Sequence, residues 1–346
     1  MKATVVIGSI IIGAIILIFA LLSLRPPQEP SIVAPIAPTA ISLRLNGPFG
    51  PTYAGEMIAA RSGLFERAGL NLSLKPGSSD ADTIALVSTG ADTFGVTRGD
   101  TFLLARAKGA PIVAFAAGYL ESPVVFYVLE KSGIHTPQDF MGKRIVRQAG
   151  QDTATIYDAM LANLNISRSQ TREVSAATGI DALLTGEVDV WPGHVGKESY
   201  VLQQKGVSFN IIYPSDYGIH VPGTVYFTSE KTIREHPSLV QKVLNAIIAG
   251  WKTTYADYSK SVPLIAAFNE SSITPDQILF ELKAQRDFVL PLGRRFTEYD
   301  DTQWKLLLNI LNNERLIRDS ESFDLSKAVN YDFLREAYRK PISFGN

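Results

Sequence analysis

Two hydrophobic periods alternate along most of this chain. Ile41–Asn46 (ISLRLN) alternates at period two, Ala54–Gly69 (AGEMIAARSGLFERAG) carries apolar residues at helical spacing and ends on glycine, and Leu70–Leu74 (LNLSL) alternates again. The cycle then repeats. A helix is predicted over Asp80–Ser88, a strand around Thr93–Val96, a helix over Asp100–Lys108 and an apolar strand at Ile112–Ala117. Such βαβ spacing predicts a largely parallel sheet covered by helices, and sheets of that kind bind ligands at the carboxyl ends of their strands. A second set runs through Val124–Val128, Arg144–Val146, Thr153–Asn163, Arg172–Val174, Ile180–Leu184, Asp189–Trp191 and Lys197–Lys205. Long helical segments follow at Pro237–Asp257, Thr274–Phe288 and Asp301–Asn313. No repeat of solenoid period is present.

The first forty residues follow different rules. Val5–Leu24 (VVIGSIIIGAIILIFALLSL) carries no charge and is almost wholly apolar. At about 1.5 Å of rise per residue such a run spans the roughly 30 Å hydrocarbon core, longer than a signal-peptide h-region needs, so the expectation is a transmembrane anchor helix at residues 1–24. Cleavage as a signal is the alternative: Lys2 supplies a short basic n-region, but no A-x-A site follows Phe19 and there is no cysteine to lipidate. Pro26, Pro27, Pro30, Pro35 and Pro38 among small residues then read as an extended tether over 25–40. The folded part is thereby expected outside the cytoplasm, held to the membrane by that helix.

Composition removes whole classes of function. With 33 basic against 34 acidic residues and a formal charge of −1, the chain has no electrostatic footprint for nucleic acid. Zero cysteines excludes disulfides, thiolate zinc sites, iron–sulfur clusters and a cysteine nucleophile. There is no G-x-G-x-x-G, complete phosphate loop, G-x-S-x-G elbow or H-E-x-x-H, and His135, His194, His220 and His236 lack metal-ligand spacing. The reading is therefore of a protein that binds without catalysing, with no cofactor and no metal. About 300 residues after the tether exceed a single core, which favours two lobes.

The order of segments carries a resemblance. GLFERAGLNLSL (Gly63–Leu74), STGADTFGVT (Ser88–Thr97), LLARAKGAPIVAFAA (Leu103–Ala117), SGIHTPQDFMGKRI (Ser132–Ile145), TGEVDVW (Thr185–Trp191) and FTSEKTIREHPSLVQKVLNAIIAGW (Phe227–Trp251) together resemble the NMT1/THI5-like group of type II periplasmic binding proteins, over about Ile41 to Tyr255. The resemblance implies a two-lobed α/β fold and a monomeric extracytoplasmic receptor. Its partners would be an ABC permease and its ATPase, and its ligand a thiamine-pyrimidine precursor, riboflavin, an alkanesulfonate, taurine or nitrate. A membrane-anchored sensor for a separate signalling partner is the alternative from another class. Eukaryotic relatives that make the thiamine pyrimidine depend on a cysteine-rich motif, which a chain without cysteine cannot supply.

On that pattern the chain crosses between lobes at Gly118–Pro123 and Tyr213–Gly223, giving lobe one as 41–120 plus 222–340 and lobe two as 121–221. Loops meeting at the cleft then name the candidates. Asn46, Phe49 and Tyr53 follow the first strand through a Pro- and Gly-rich turn, either reaching the cleft or forming only a turn. Ser79 or Asp80 opens a helix and serves as cap or ligand contact; Arg98 and Asp100 sit at a strand end, contacting ligand or merely pairing on the surface. In lobe two Asp152 and Thr153 open a helix after Gly150, as caps or ligand partners. Trp191 ends a strand, where its ring either stacks on a planar heterocycle or fills the core. Glu198 matches a place where the resemblance implies an acidic residue in pyrimidine-binding members, and otherwise lies on a solvated helix face. Tyr119, Glu121, Asp216 and Tyr217 lie on the crossings, where closure would trap them. Aromatic and acidic candidates together suggest a neutral or amine-bearing planar ligand.

Overall fold

A computed structural model describes residues 37–175, 178–268, 273–317 and 323–339. The predicted anchor at Val5–Leu24 and most of the tether lie outside the described residues. Among those described, no helix is long and apolar enough to cross a membrane. The tether ends earlier than expected, because Thr39 and Ala40 already belong to β1 (Thr39–Arg44) and pair with Leu70 and Asn71.

Among the described residues ten strands build three sheets. After β1 come β2 (Leu70–Lys75), β3 (Phe94–Arg98), β4 (Ile112–Ala117), β5 (Val124–Leu129), β6 (Arg144–Val146), β7 (Arg172–Val174), β8 (Trp191–His194), β9 (Phe209–Ile212) and β10 (Thr224–Ser229). The first sheet has the order β2-β1-β3-β10-β4, with β1 parallel to β2 and to β3. The expectation of parallel strands holds there but not for β10, which runs antiparallel between β3 and β4. Its TVYFTS sequence returns from the second sheet system and inserts between β3 and the edge strand β4. Gly95 makes room for it, since a Cβ there would lie 2.6 Å from the Phe227 ring. The second system corrects the expectation further: β8-β5-β9 is antiparallel throughout, and only the two-stranded β6-β7 sheet is parallel.

The helices that matter for the site are α1 (Ala54–Arg61), α2 (Asp80–Ser88), α3 (Gly99–Ala107), α4 (Asp152–Asn163), α5 (Lys197–Gln204), α6 (Pro237–Ala256), α7 (Pro275–Val289) and α8 (Asp301–Asn313). Helix α6 buries Val240, Val243, Leu244, Ile247, Ile248 and Trp251 against the first core. Helix α7 touches both systems. Phe280 meets Tyr200 of α5 with ring centroids 5.5 Å apart, Phe288 meets Tyr213 at 6.4 Å, and Gln285 donates to the carbonyl of Pro51.

The two connections between the sheet systems run side by side. Gly118 N–H donates to Thr224 O, Gly223 N–H to Tyr119 O and Ser122 N–H to Val221 O, at 2.8–3.0 Å. A paired two-strand connection of this kind fixes the relative height of the strand ends on either side, and the site lies beside it.

Candidate functional site

The site is built around one carboxylate. At the end of β1 the chain turns through Asn46, and the loop before α2 passes so close that a Cβ on Gly77 would sit 1.9 Å from Leu45 O. Ser79 then caps α2 by accepting from the Asp82 N–H, which leaves Asp80 in the first turn, where the helix dipole favours a negative charge. Asp80 Oδ1 accepts from Asn46 Nδ2 (2.8 Å), Thr97 Oγ1 (2.7 Å) and the Arg98 N–H (2.9 Å). Tyr53 Oη donates to Asn46 Oδ1 at 2.8 Å, extending the chain to the residue that precedes α1. Asp80 organises three segments and has little acceptor capacity left for a ligand.

Arg98, at the end of β3, carries the arrangement across to the second system. Its guanidinium pairs with Asp80 Oδ2 at 3.2 Å and Asp100 Oδ1 at 3.1 Å, donates to Thr101 Oγ1 at 2.8 Å, and reaches the Gly150 carbonyl just before α4 at 3.1 Å. Asp100 also receives Thr155 Oγ1 of α4 at 3.4 Å. Burial pushes the Asp100 carboxyl above its ordinary range against the pull of Arg98; burial would lower Arg98, but Asp100 and Asp80 hold it above its usual value.

On the second system Asp152 and His194 form an ion pair, Nε2 to Oδ2 2.9 Å. Burial opposes the charge on each. The partner's charge wins: Asp152 falls to about 2 and His194 rises to about 9, so both are ionised at neutral pH. Because the imidazole is 46% exposed, solvent screens the pair and it adds little to stability. The His194 N–H donates to Glu198 Oε2 at 3.1 Å, and Glu198 lies over Gly193, where a Cβ would be 2.8 Å from its carboxyl carbon. Trp191 opens β8 instead of ending a strand as expected; it is half-buried against the second core, and its indole N–H is shielded from water without a partner.

The other candidates are dispersed. Phe49 packs on Phe268 with centroids 5.1 Å apart, and Thr153 offers its N–H to Asp152. Tyr119 is a bolt of the first core: it is 2% exposed and its hydroxyl donates to Gln285. Glu121 faces His220 at 3.4 Å beside the paired connection. Asp216 and Tyr217 are not brought to this cluster, because Pro214 starts a 3-10 turn that packs at the end of α4, where Asn163 donates to Tyr217 O. His194, Thr97, Thr155 and the Gly150 carbonyl are partners beyond the sequence candidates. His194 lacks metal-ligand spacing, and its position two residues after Trp-Pro is the sequence signal for it.

Between the two systems opens a cleft of about 570 Å³, lined among others by Asp80, Arg98, Asp100, Gly150, Thr155 and Arg147. That volume lies within the roughly 300–1,000 Å³ usual for small-molecule sites.

Comparison with known proteins agrees with this architecture. The chain is 23% identical over 298 residues to 4-amino-5-hydroxymethyl-2-methylpyrimidine phosphate synthase of Legionella pneumophila, covering 85% of this chain and 92% of that one. It is 24% identical over 288 residues to the riboflavin-binding protein RibY of Chloroflexus aurantiacus, covering 79% of each. Among solved structures it resembles the periplasmic aliphatic sulphonate binding protein SsuA of Escherichia coli, with TM-score 0.68, 16% identity, and coverage of 81% of this chain and 94% of that one. The fold is that of a periplasmic binding protein. Residues 50–260 match the family model described as NMT1/THI5 like, and the chain belongs to that family.

Proposed function

We propose that this protein is a monomeric extracytoplasmic receptor that closes its two sheet systems on a small planar nitrogenous compound and delivers it to an ABC permease with its ATPase. The compound's class is that of a thiamine-pyrimidine precursor, with riboflavin as the larger alternative. The observation that carries the reading is the convergence of the two systems at this cleft: Asp80 and Arg98 from the first meet Gly150, and Asp152 and His194 stand on the second. In this reading the Trp191 indole supplies the stacking face and the fixed charges the polar orientation. Binding without catalysis is favoured by the absence of any cysteine.

The stacking assignment is testable. Trp191→Ala is expected to weaken binding of an aminopyrimidine by about 1–3 kcal/mol, the range for aromatic stacking on a base, with the fold retained. Calorimetric titration of native and variant protein measures it, and equal affinities would remove Trp191 from the site.

Membrane attachment belongs to the same proposal. The apolar run Val5–Leu24 is long enough to span a bilayer, so the full-length chain is expected to stay with membranes through high-salt and carbonate washing. Recovery in the soluble fraction would mean that the segment is cleaved or does not insert.

A further inference from the structure

Each guanidinium lining the cleft between the sheet systems, among the described residues, already holds a carboxylate of this chain. Arg98 is tied to Asp80 and Asp100. Arg147 binds Asp158 through Nε at 2.9 Å and Nη2 at 2.5 Å. Arg168 binds Glu173 through both Nε and Nη2 at 2.6 Å. Two of these are fork-to-fork pairs, the geometry in which a guanidinium gives its donors most completely to one anion. Glu314 adds a further carboxylate to the lining, Asp152 stands close by against the imidazolium of His194, and Glu198 accepts the His194 backbone N–H. A sulfonate, phosphate or nitrate entering here would have to break an internal ion pair and then sit beside the released carboxylate. The cost of an uncompensated buried charge is large.

We propose that Asp80 and Asp100 are specificity-determining residues that lock Arg98 and close this cleft to anions, so that it takes only ligands without negative charge. This rests on the cleft being the solute site, and it separates this chain by ligand charge from the sulphonate binder whose fold it shares. The lock has a second function: Arg98, held from behind by two carboxylates, is aimed at the Gly150 carbonyl, a neutral acceptor that a guanidinium bound to a ligand anion would abandon.

Calorimetric and thermal-shift titrations of the full chain with methanesulfonate, inorganic phosphate and nitrate at millimolar concentration test the proposal. The native protein is expected to show neither heat nor stabilisation. Asp100→Asn, with Asp80→Asn as a second variant, frees Arg98 and is expected to tighten methanesulfonate binding by about tenfold or more, the worth of one charge-assisted contact. Saturable binding of any of the three anions to the native protein, lost in Arg98→Gln, would overturn it, as would folded variants in which anion binding does not improve. Neither result depends on finding the natural solute. Failure of the receptor reading itself would appear separately, as loss of the Trp191 effect on aminopyrimidine binding.

Discussion

Between about pH 5 and about pH 8 the titration of Glu56 is expected to cost the protein about 3 kcal/mol of stability, and Glu56→Gln is expected to remove that share of the loss. Glu56 lies in α1 with 1% of its surface exposed, and its Oε2 has no hydrogen-bond partner. What faces it is aromatic: Tyr226 of β10, which hydrogen-bonds the carboxyl, and Tyr53, Tyr119, Trp251 and Tyr255 around that contact. Burial of a carboxyl without a cation disfavours the charged form, and it raises Glu56 from 4.5 to about 7. Below about 4.5 the group is neutral in both folded and unfolded chains and its contribution is fully present. As pH rises toward 7 the unfolded chain releases the proton that the folded chain retains, so stability is lost up to the folded pKa and then levels off. Asp100, Glu121 and Glu281, pushed up by burial, and His194, held up by Asp152, contribute to the same slope, so the comparison between native protein and variant isolates Glu56. Urea unfolding at four pH values measures it. Parallel curves for the two proteins would show that Glu56 does not titrate in this window.

What was legible in the chain follows the range over which each interaction acts. Strands such as Ile112–Ala117 and helices such as Asp301–Asn313 are written in local periodicity, and the structure has them at those residues. The insertion of β10 between β3 and β4 is not local. Thr224–Ser229 alternates no more clearly than its neighbours, and its place depends on Gly95, more than a hundred residues earlier. The site divides the same way. Ser79 and Asp80 follow a capping pattern visible in sequence, and Arg98 with Asp100 lies at a predicted strand end. The pairing of Asp152 with His194 joins residues 42 positions apart, and no spacing rule reaches that far. Tyr119 shows the opposite failure. A polar aromatic at a crossing reads as a cleft residue, yet Gln285 of α7 takes its hydroxyl, and α7 belongs to a late segment whose packing partner the sequence does not name.

Trp251→Ala is expected to cost about 3–5 kcal/mol, the largest effect of any single substitution proposed for this protein. The reason is the crossing of α1 and α6. A Cβ on Gly250 would lie 2.0 Å from Gly55 O, and one on Gly55 would lie 2.5 Å from the Trp251 indole, so the two backbones approach as closely as glycine allows and the indole fills the space beside them. Trp251 is fully buried, stacks on Tyr255 with centroids 5.9 Å apart, and donates to Tyr226 Oη at 2.8 Å. Removing the ring therefore opens a cavity that a glycine-packed crossing cannot collapse to fill, and it strips the partner from the hydroxyl that holds Glu56. Trp251→Phe retains most of the volume and loses the N–H, so about 1–3 kcal/mol is expected there. Urea unfolding followed by circular dichroism separates the two. An Ala cost below about 1 kcal/mol would mean that the helices close the gap and that the crossing is not rigid. Since Tyr53 immediately precedes α1 and donates to Asn46, which donates to Asp80, a rigid crossing is also what holds the first half of the ligand site at fixed height.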